Sequence, residues 1–152
     1  MRRDEKEITD RNLIEEILNK ATTCRIAMID GDFPYIIPVN YGYKDNCIYI
    51  HSANEGKKID VIKKNNNVCF EVEIDEEIVE TDIPCTWSVN YQSVIGFGKA
   101  FILDSNDDKI NGLNVLMEHY TGRTKHEYQQ KSMEEMIIIK IEISSMTGKK
   151  SD

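Results

Sequence analysis

The chain has 152 residues, an apolar fraction of 40% and a charged fraction of 30%, which is typical of one soluble globular domain. Its formal net charge of −8 argues against nucleic acid as the main partner, because phosphate backbones attract a positive surface. No apolar run reaches the roughly 18 residues of a membrane span. The charged start "MRRDEKEITD" also lacks the apolar core of a signal peptide. We therefore expect a cytoplasmic protein without a membrane partner.

Four short strands and two helices are predicted in the first half of the chain. Asp10 can cap a helix over 11–21, whose apolar face is formed by Leu13, Ile14, Ile17, Leu18 and Ala21. Strands are predicted over 24–30, 35–43, 47–52 and 68–75, with a hairpin turn at "DGD", 30–32. Pro38 cannot donate to a sheet ladder and marks an edge or a bulge. A short helix is predicted over 57–64.

The second half of the chain is predicted to hold one long strand, one helix and a closing strand. The acidic segment 71–82 indicates a solvated edge and loop. A strand is predicted over 86–103, where Gly96 and Gly98 indicate a bend or the close approach of another backbone. A helix is predicted over 107–120, with Ile110, Leu113, Met117 and Tyr120 on one stripe. A last strand is predicted over 136–143.

The pattern of elements predicts a mostly antiparallel sheet. Hairpin-linked strands outnumber the helices, and so many strands in one small domain favour closure into a barrel. The predicted helices are expected to cover the barrel. The predicted fold is α+β and mainly β, in a single domain over 1–152.

The four cysteines offer no motif for a metal or a disulfide framework. Cys24, Cys47, Cys69 and Cys85 are too widely spaced to form a C-x-x-C pair. No second histidine or carboxylate stands at metal-ligand spacing from His51 either. We predict reduced, buried thiols and no metal site.

A basic corner stands out in this acidic chain at "YIHSANEGKKID", 49–60. A strand-like run ends in His51 and Ser52, and Gly56, Lys57 and Lys58 open the next helix. Amides at a helix start favour an anion, and glycine lets a ligand approach the backbone. A phosphate monoester, with nearly two negative charges, suits this corner. The alternatives are that the lysines are a solvated helix face and that His51 only bonds to the backbone.

Several longer motifs occur together in one order along nearly the whole chain. They are "CRIAMIDGDFPYIIPVNYGY" at 24–43, "YIHSANEGKKID" at 49–60, "NNNVCFEVEID" at 67–75, "YQSVIGFGKA" at 91–100, "LMEHYTG" at 116–122 and "IEISSMTGKKS" at 141–151, after the opening "MRRDEKEITD". In these motifs the sequence resembles the pyridoxamine 5'-phosphate oxidase-like, flavin-binding split barrels. Within them it is similar to the nitroimidazole-resistance (Nim) group.

The resemblance implies an antiparallel split β-barrel of Greek-key type that binds FMN, as a homodimer with flavin sites at the subunit interface. The residues that it assigns to the cofactor are Ile37, Pro38, Val39 and Asn40 along the ring, His51 and Ser52 at the ribityl and phosphate side, Lys57 and Lys58 on the phosphate, Gln92 and Ser93 beside the cofactor, and Trp87 and Tyr91 towards the neighbouring subunit's site. Nim-like sequences read "YRS" where this chain has Tyr91-Gln92-Ser93. Glutamine can still form hydrogen bonds, but it lacks the positive charge of arginine. If that arginine contacts the phosphate or an anionic substrate in Nim-like proteins, this chain would bind that group differently.

The implied function is that of a flavin-dependent oxidoreductase that reduces the nitro group of a small molecule such as a 5-nitroimidazole. His51 is the candidate catalytic residue, because histidine can give a proton near neutral pH; the alternative is that it only shapes the pocket. One rival function is a different redox role, on a vitamin B6 phosphate or on another small molecule, although the B6 oxidases carry a longer C-terminal segment. Another is a non-catalytic flavin or haem binder, with His51, His119 or His126 as axial ligand. A third is a cofactor-free interaction domain.

Overall fold

A computed structural model of the chain describes residues 4–124 and 126–151. The helices are α1 (Arg11–Lys20), α2 (Lys57–Lys64), α3 (Asn106–Thr121) and α4 (Gln130–Glu134). The strands are β1 (Glu7–Ile8), β2 (Cys24–Asp30), β3 (Phe33–Val39), β4 (Gly42–Lys44), β5 (Cys47–Ala53), β6 (Asn67–Val79), β7 (Ser88–Leu103) and β8 (Met136–Ser151). None of the helices in this part of the chain is long and apolar enough to cross a membrane.

All eight strands belong to one antiparallel sheet. Its order is β3-β2-β6-β7-β8-β5-β4, and β1 pairs with the far end of β8. Although β3 and β5 are five places apart in this order, residues of both strands line one pocket, so the sheet must curve around the core to bring them together. The predicted mainly-β split barrel is confirmed.

Strand alternation and the apolar face of α1 build the core. Along β2, Cys24, Ile26 and Met28 are buried and their neighbours face outward. From α1, Ile14, Ile17 and Leu18 pack onto the sheet. Asp10 caps α1 as predicted, because its Oδ1 accepts a hydrogen bond of 2.9 Å from the backbone N–H of Asn12. Leu13 is the exception on the predicted apolar face, since it is 46% exposed.

The strand predicted over 35–43 is interrupted in the structure. It begins earlier, at Phe33, and β3 ends at Val39 before the separate strand β4. The break falls at Tyr41, whose ring is fully buried and whose hydroxyl donates a 2.5 Å hydrogen bond to the Leu18 carbonyl. The backbone N–H of Tyr41 donates to the Tyr120 hydroxyl at 3.1 Å, so it is not part of a strand ladder. Pro38 lies on β3, the edge strand of the sheet, as predicted.

Both predictions for the glycines of β7 are confirmed. A Cβ on Gly96 would collide with the Phe70 ring, and one on Gly98 would collide with the Glu142 carbonyl of the adjacent strand. The pairing register between β7 and β8 also shifts between Phe97 and Gly98, so the strand carries an irregularity at this point. Close approach and bending therefore occur together.

The face of α3 that is buried in the core is not the apolar stripe seen in the sequence. Its buried residues are Lys109, Gly112, Val115 and Leu116, whereas Ile110 of the predicted stripe is 41% exposed. Lys109 is tolerated inside because its Nζ donates to the Met133 carbonyl at 2.9 Å and pairs with Asp104 at 2.8 Å. The predicted stripe therefore remains available for another role.

Two other predictions need correction. All four cysteines are free thiols, but only Cys24 is buried; Cys47 and Cys69 are half-buried and Cys85 is exposed. Burial raises the pKa of the Cys24 thiol to about 12. The acidic segment is mostly strand, because β6 continues to Val79 with its glutamates on the exposed face. Helix α4 and strand β1 were not predicted.

Candidate functional site

Two pockets that share His51 form one groove on the surface of the barrel. The polar pocket, of about 430 Å³, is lined by Tyr35, Ile37, His51, Ser52, Ala53, Glu55, Gly56, Lys57 and Lys58. The apolar pocket, of about 390 Å³, is lined by Asn40, His51, Leu113, Leu116, Met117 and Tyr120. The predicted basic corner is thus one end of a groove, and Leu113, Met117 and Tyr120 of the predicted α3 stripe form a wall at the other.

The start of α2 supplies backbone donors to the polar pocket. The Gly56 carbonyl accepts the N–H groups of Ile59 at 2.9 Å and Asp60 at 3.2 Å. The amides of Lys57 and Lys58 come before these first helical bonds and so have no helical acceptor. Gly56 has a φ of 119°, which favours glycine, and a Cβ there would meet nothing within 4 Å. An anion can therefore approach this backbone directly.

Ser52 adds a hydroxyl at the same place. It is only 7% exposed, and its hydroxyl makes no hydrogen bond with the residues that the structure describes. Ser52 lines the polar pocket, and its O–H can donate to an acceptor there. A phosphate oxygen in the polar pocket would provide one.

The two adjacent lysines have different surroundings. The Lys57 ammonium pairs with the Asp30 carboxylate at 2.9 Å and lies 4.7 Å from the centroid of the Tyr35 ring. The hydrogen bond raises the pKa of Lys57 and lowers that of Asp30. Lys58 is half-buried without an ion pair among residues 4–124 and 126–151, and desolvation lowers its pKa. Lys58 is therefore the cation that is available to an anion.

The edge strand β3 forms the side of the groove opposite β5. Ile37 and Val39 are half-buried and pack against the core, whereas Pro38 points to the other face, where it pairs with Arg25. Only the backbone of Pro38 can therefore face the groove.

Asn40 is held by a residue that sequence reasoning did not assign to the site. Its Nδ2 donates to the Tyr120 hydroxyl oxygen at 3.3 Å, and the Tyr41 N–H donates to the same oxygen at 3.1 Å. The Tyr120 hydroxyl in turn donates to the Thr22 carbonyl at 2.6 Å. The position of Tyr120 on the apolar stripe of α3 was the available signal.

His51 stands where the two pockets meet. Its side chain is exposed and makes no hydrogen bond with any described residue. The two other histidines are bound to backbone carbonyls through Nε2, His119 to Ala21 at 2.8 Å and His126 to Arg123 at 3.1 Å. His51 is thus the histidine that a ligand in the groove would meet.

The predicted site residues of β7 and its approach lie apart from this groove. The Trp87 indole is 49% exposed and donates to the Thr81 carbonyl at 2.8 Å, and the Gln92 amide donates to Asp75 at 3.3 Å. The Lys149 ammonium lies 5.2 Å from the centroid of the Tyr91 ring, and Ser93 is 8% exposed. None of these four predicted residues lines either pocket.

The fold and the groove define a split-barrel protein in which a polar pocket with two lysines continues into an apolar pocket. A family model for pyridoxamine 5'-phosphate oxidase matches residues 10–150. The chain therefore belongs to this family. No curated protein matches the sequence significantly.

Solved structures share this fold over almost the whole chain. One is provisionally named a 5-nitroimidazole antibiotic resistance protein, from Bacteroides thetaiotaomicron; it is 30% identical, with 94% of this chain and 85% of that chain covered and a TM-score of 0.83. The flavocytochrome Anf3 from Azotobacter vinelandii is 15% identical, with 100% and 72% covered and a TM-score of 0.84. The FAD and heme binding protein from Mycobacterium smegmatis is 18% identical, with 97% and 74% covered and a TM-score of 0.86.

Proposed function

We propose that the groove binds FMN, with the phosphate in the polar pocket and the ring along β3 near His51. One observation carries the proposal: an unpaired Lys58 ammonium, a Ser52 hydroxyl and the free amides that open α2 meet at one pocket. Each charge-assisted contact contributes about 1.5–3 kcal/mol. These short-range contacts must supply the affinity, because a protein of net charge −8 repels a distant anion.

The ring side of the groove supports the same ligand. Ile37 of β3 offers apolar surface, and the Asn40 amide is oriented by its bond to Tyr120. With Nδ2 held in this way, the amide oxygen of Asn40 remains an acceptor for an N–H group of a ring.

For the activity we propose two-electron reduction of a small nitro compound. When bound, a reduced flavin would supply two electrons and one proton, and an external reductant would have to reduce it again. Two electrons and two protons convert a nitro group into a nitroso group and one water. His51 lies beside the ring position and would give a proton to the nitro oxygen that leaves as water. The 30% identical relative, with its provisional resistance role, supports this substrate class.

The visible spectrum of the purified protein tests the cofactor. We expect flavin absorption, FMN in the mass spectrum of the released cofactor, and reoxidation of the chemically reduced protein by a 5-nitroimidazole without oxygen. A colourless protein without flavin affinity would refute the proposal. A Soret band would instead indicate a haem protein, with His51 as the first candidate ligand. Bound FMN without electron transfer to any nitroaromatic would refute the nitroreductase activity alone.

We further propose a homodimer with the two grooves at the interface. Ile36, Ala27, Cys69 and Phe97 lie side by side in register across β3, β2, β6 and β7 on the outer face of the sheet. Ile36 is 62% exposed and Phe97 57%, and such an apolar row indicates an interaction surface. In a dimer, the predicted cofactor residues of β7 would contact the flavin in the partner subunit's groove.

Light scattering tests the dimer. The wild-type protein should have about twice the chain mass of 17.6 kDa, and Phe97→Asp should yield monomer, because it places a charge in the apolar row. Leu13→Asp is the matched control, since Leu13 is 46% exposed on α1 and lies outside that row. A wild-type monomer that still binds FMN would contradict the shared-site arrangement.

A further inference from the structure

Lys149 of β8 carries a positive charge that its own subunit does not neutralise. It lies opposite Ser93, four residues from Phe97 along β7, so it points to the same face of the sheet as the apolar row. Its side chain is half-buried, and its ammonium lies 5.2 Å from the centroid of the Tyr91 ring, a cation–π contact. Glu7 stands opposite Lys149 in the β1–β8 register. Nevertheless, no carboxylate of the described residues forms an ion pair with Lys149.

The apolar row determines which strands would meet in the proposed dimer. A two-fold contact uses the same surface on both subunits. An axis that runs along the strands between Ala27 and Cys69 would set Ile36 of one subunit against Phe97 of the other. This arrangement buries both exposed ends of the row. The strands β7 and β8 of each subunit would then face the edge strand β3 of its partner.

The same rotation carries Lys149 to the end of the partner's groove where the flavin ring is proposed to lie. Strands are about 4.8 Å apart, and β8 is one strand beyond β7, so Lys149 would pass just outside the partner's β3. Ile95 is level with Pro38 across the sheet, and Lys149 lies opposite Ser93, two residues along β7. Lys149 is therefore level with Asn40, two residues after Pro38, which lines the apolar pocket.

This end of the groove lacks a fixed positive charge of its own. In the described part of the chain, no lysine or arginine lines the apolar pocket, and Lys58 lines the polar pocket, where the phosphate is proposed to bind. His51 can be charged, but it gives up its proton in the proposed reaction. A flavin ring that takes up two electrons and one proton gains one negative charge. A counter-charge would stabilise it, since the chain itself has a net charge of −8.

We propose that Lys149 of the partner subunit stabilises the reduced flavin ring and thereby sets the reduction potential of the cofactor. A charge beside the ring is one of the means by which a protein tunes a bound flavin. The contact with Tyr91 holds the ammonium in place before the ring is reduced. The proposal rests on the proposed FMN site and on the proposed dimer.

The midpoint potential of the FMN-loaded dimer tests the charge. Lys149→Ala should reduce the preference for reduced over oxidised FMN at least about tenfold, which lowers the potential of a two-electron couple by about 30 mV. Spectroelectrochemical titration measures this shift. Lys149→Arg should keep the wild-type potential, and Lys149→Gln is a second neutral variant should Lys149→Ala fail to fold. Lys150→Ala is the matched control, because it removes the same charge from the opposite face of β8.

A mixed dimer tests whether Lys149 acts across the interface. It combines one Lys58→Ala subunit with one Lys149→Ala subunit, isolated through two different affinity tags. At limiting FMN the cofactor should occupy the groove of the Lys149→Ala subunit, which keeps its own Lys58. That groove receives an intact Lys149 from its partner, so its potential should equal that of the wild type.

Each failure has a separate meaning. An unchanged potential in the Lys149→Ala dimer, or an equal shift in Lys150→Ala, would overturn the proposal and leave FMN binding intact. A lowered potential in the mixed dimer would assign Lys149 to the groove of its own subunit and would also overturn it. A wild-type protein that binds no FMN would instead refute the proposed function, and the inference about Lys149 with it.

Discussion

Replacement of Lys58 by alanine should weaken FMN binding much more than riboflavin binding. Lys58 is the half-buried, unpaired ammonium of the polar pocket, and desolvation lowers its pKa. A charge-assisted contact with a phosphate contributes about 1.5–3 kcal/mol. Its loss should raise the dissociation constant of FMN by about 10- to 150-fold. Riboflavin lacks the phosphate, so its dissociation constant should change little.

Lys57→Ala is the matched control in the same helical turn. The Lys57 side chain is 59% exposed and its ammonium is already paired with Asp30, and solvent screening makes such an exposed ion pair weak. We expect less than a fivefold loss of FMN affinity. The dissociation constants of FMN and of riboflavin can be measured for each variant by flavin fluorescence titration. Thermal denaturation verifies that each variant is folded. An equal loss for riboflavin in Lys58→Ala, or a larger loss in Lys57→Ala, would refute the phosphate assignment.

Three further predictions concern pH, packing and catalysis. FMN affinity should fall as pH rises through the lowered pKa of Lys58, because the phosphate requires the protonated ammonium; a rise in titrations from pH 7 to 10 would contradict this. Gly98→Ala should destabilise the fold by about 1–3 kcal/mol in chemical denaturation, since its Cβ meets the Glu142 carbonyl; unchanged stability would show that the strands can separate. His51→Asn should retain FMN and slow nitro reduction at least about tenfold; an unchanged rate would limit His51 to shaping the pocket.

The sequence predicted correctly those elements that depend on interactions between residues a few positions apart. Asp10 and the spacing of Ile14, Ile17 and Leu18 predict α1, because capping and helical periodicity need no distant partner. The segment 57–64 was predicted with the bounds of α2, since glycine and two lysines mark its start. Gly96 and Gly98 likewise predicted a close approach that the structure shows. Cytoplasmic location stays a prediction.

Sequence patterns mislead where a residue that is distant in the chain determines the local structure. At Tyr41 the strand is interrupted, and its backbone N–H donates to the Tyr120 hydroxyl of α3, a contact that no local pattern reports. Lys109 is buried in α3 because Met133 and Asp104 satisfy its ammonium. The predicted stripe of α3 is not its buried face: Leu113, Met117 and Tyr120 line the groove, and Ile110 is exposed.

The sequence by itself determined that a basic corner with a glycine and a serine joins a strand to α2, because these residues are neighbours in the chain. Only the tertiary structure decided which lysine is available: Asp30, 27 positions before Lys57, approaches it through the β2–β3 hairpin and pairs with its ammonium. The curvature of the sheet likewise places Ile37 and Asn40 beside His51 and brings α3 over the groove. Side-chain spacing follows from local geometry, whereas ion pairing and pocket shape depend on contacts between residues that are remote in sequence.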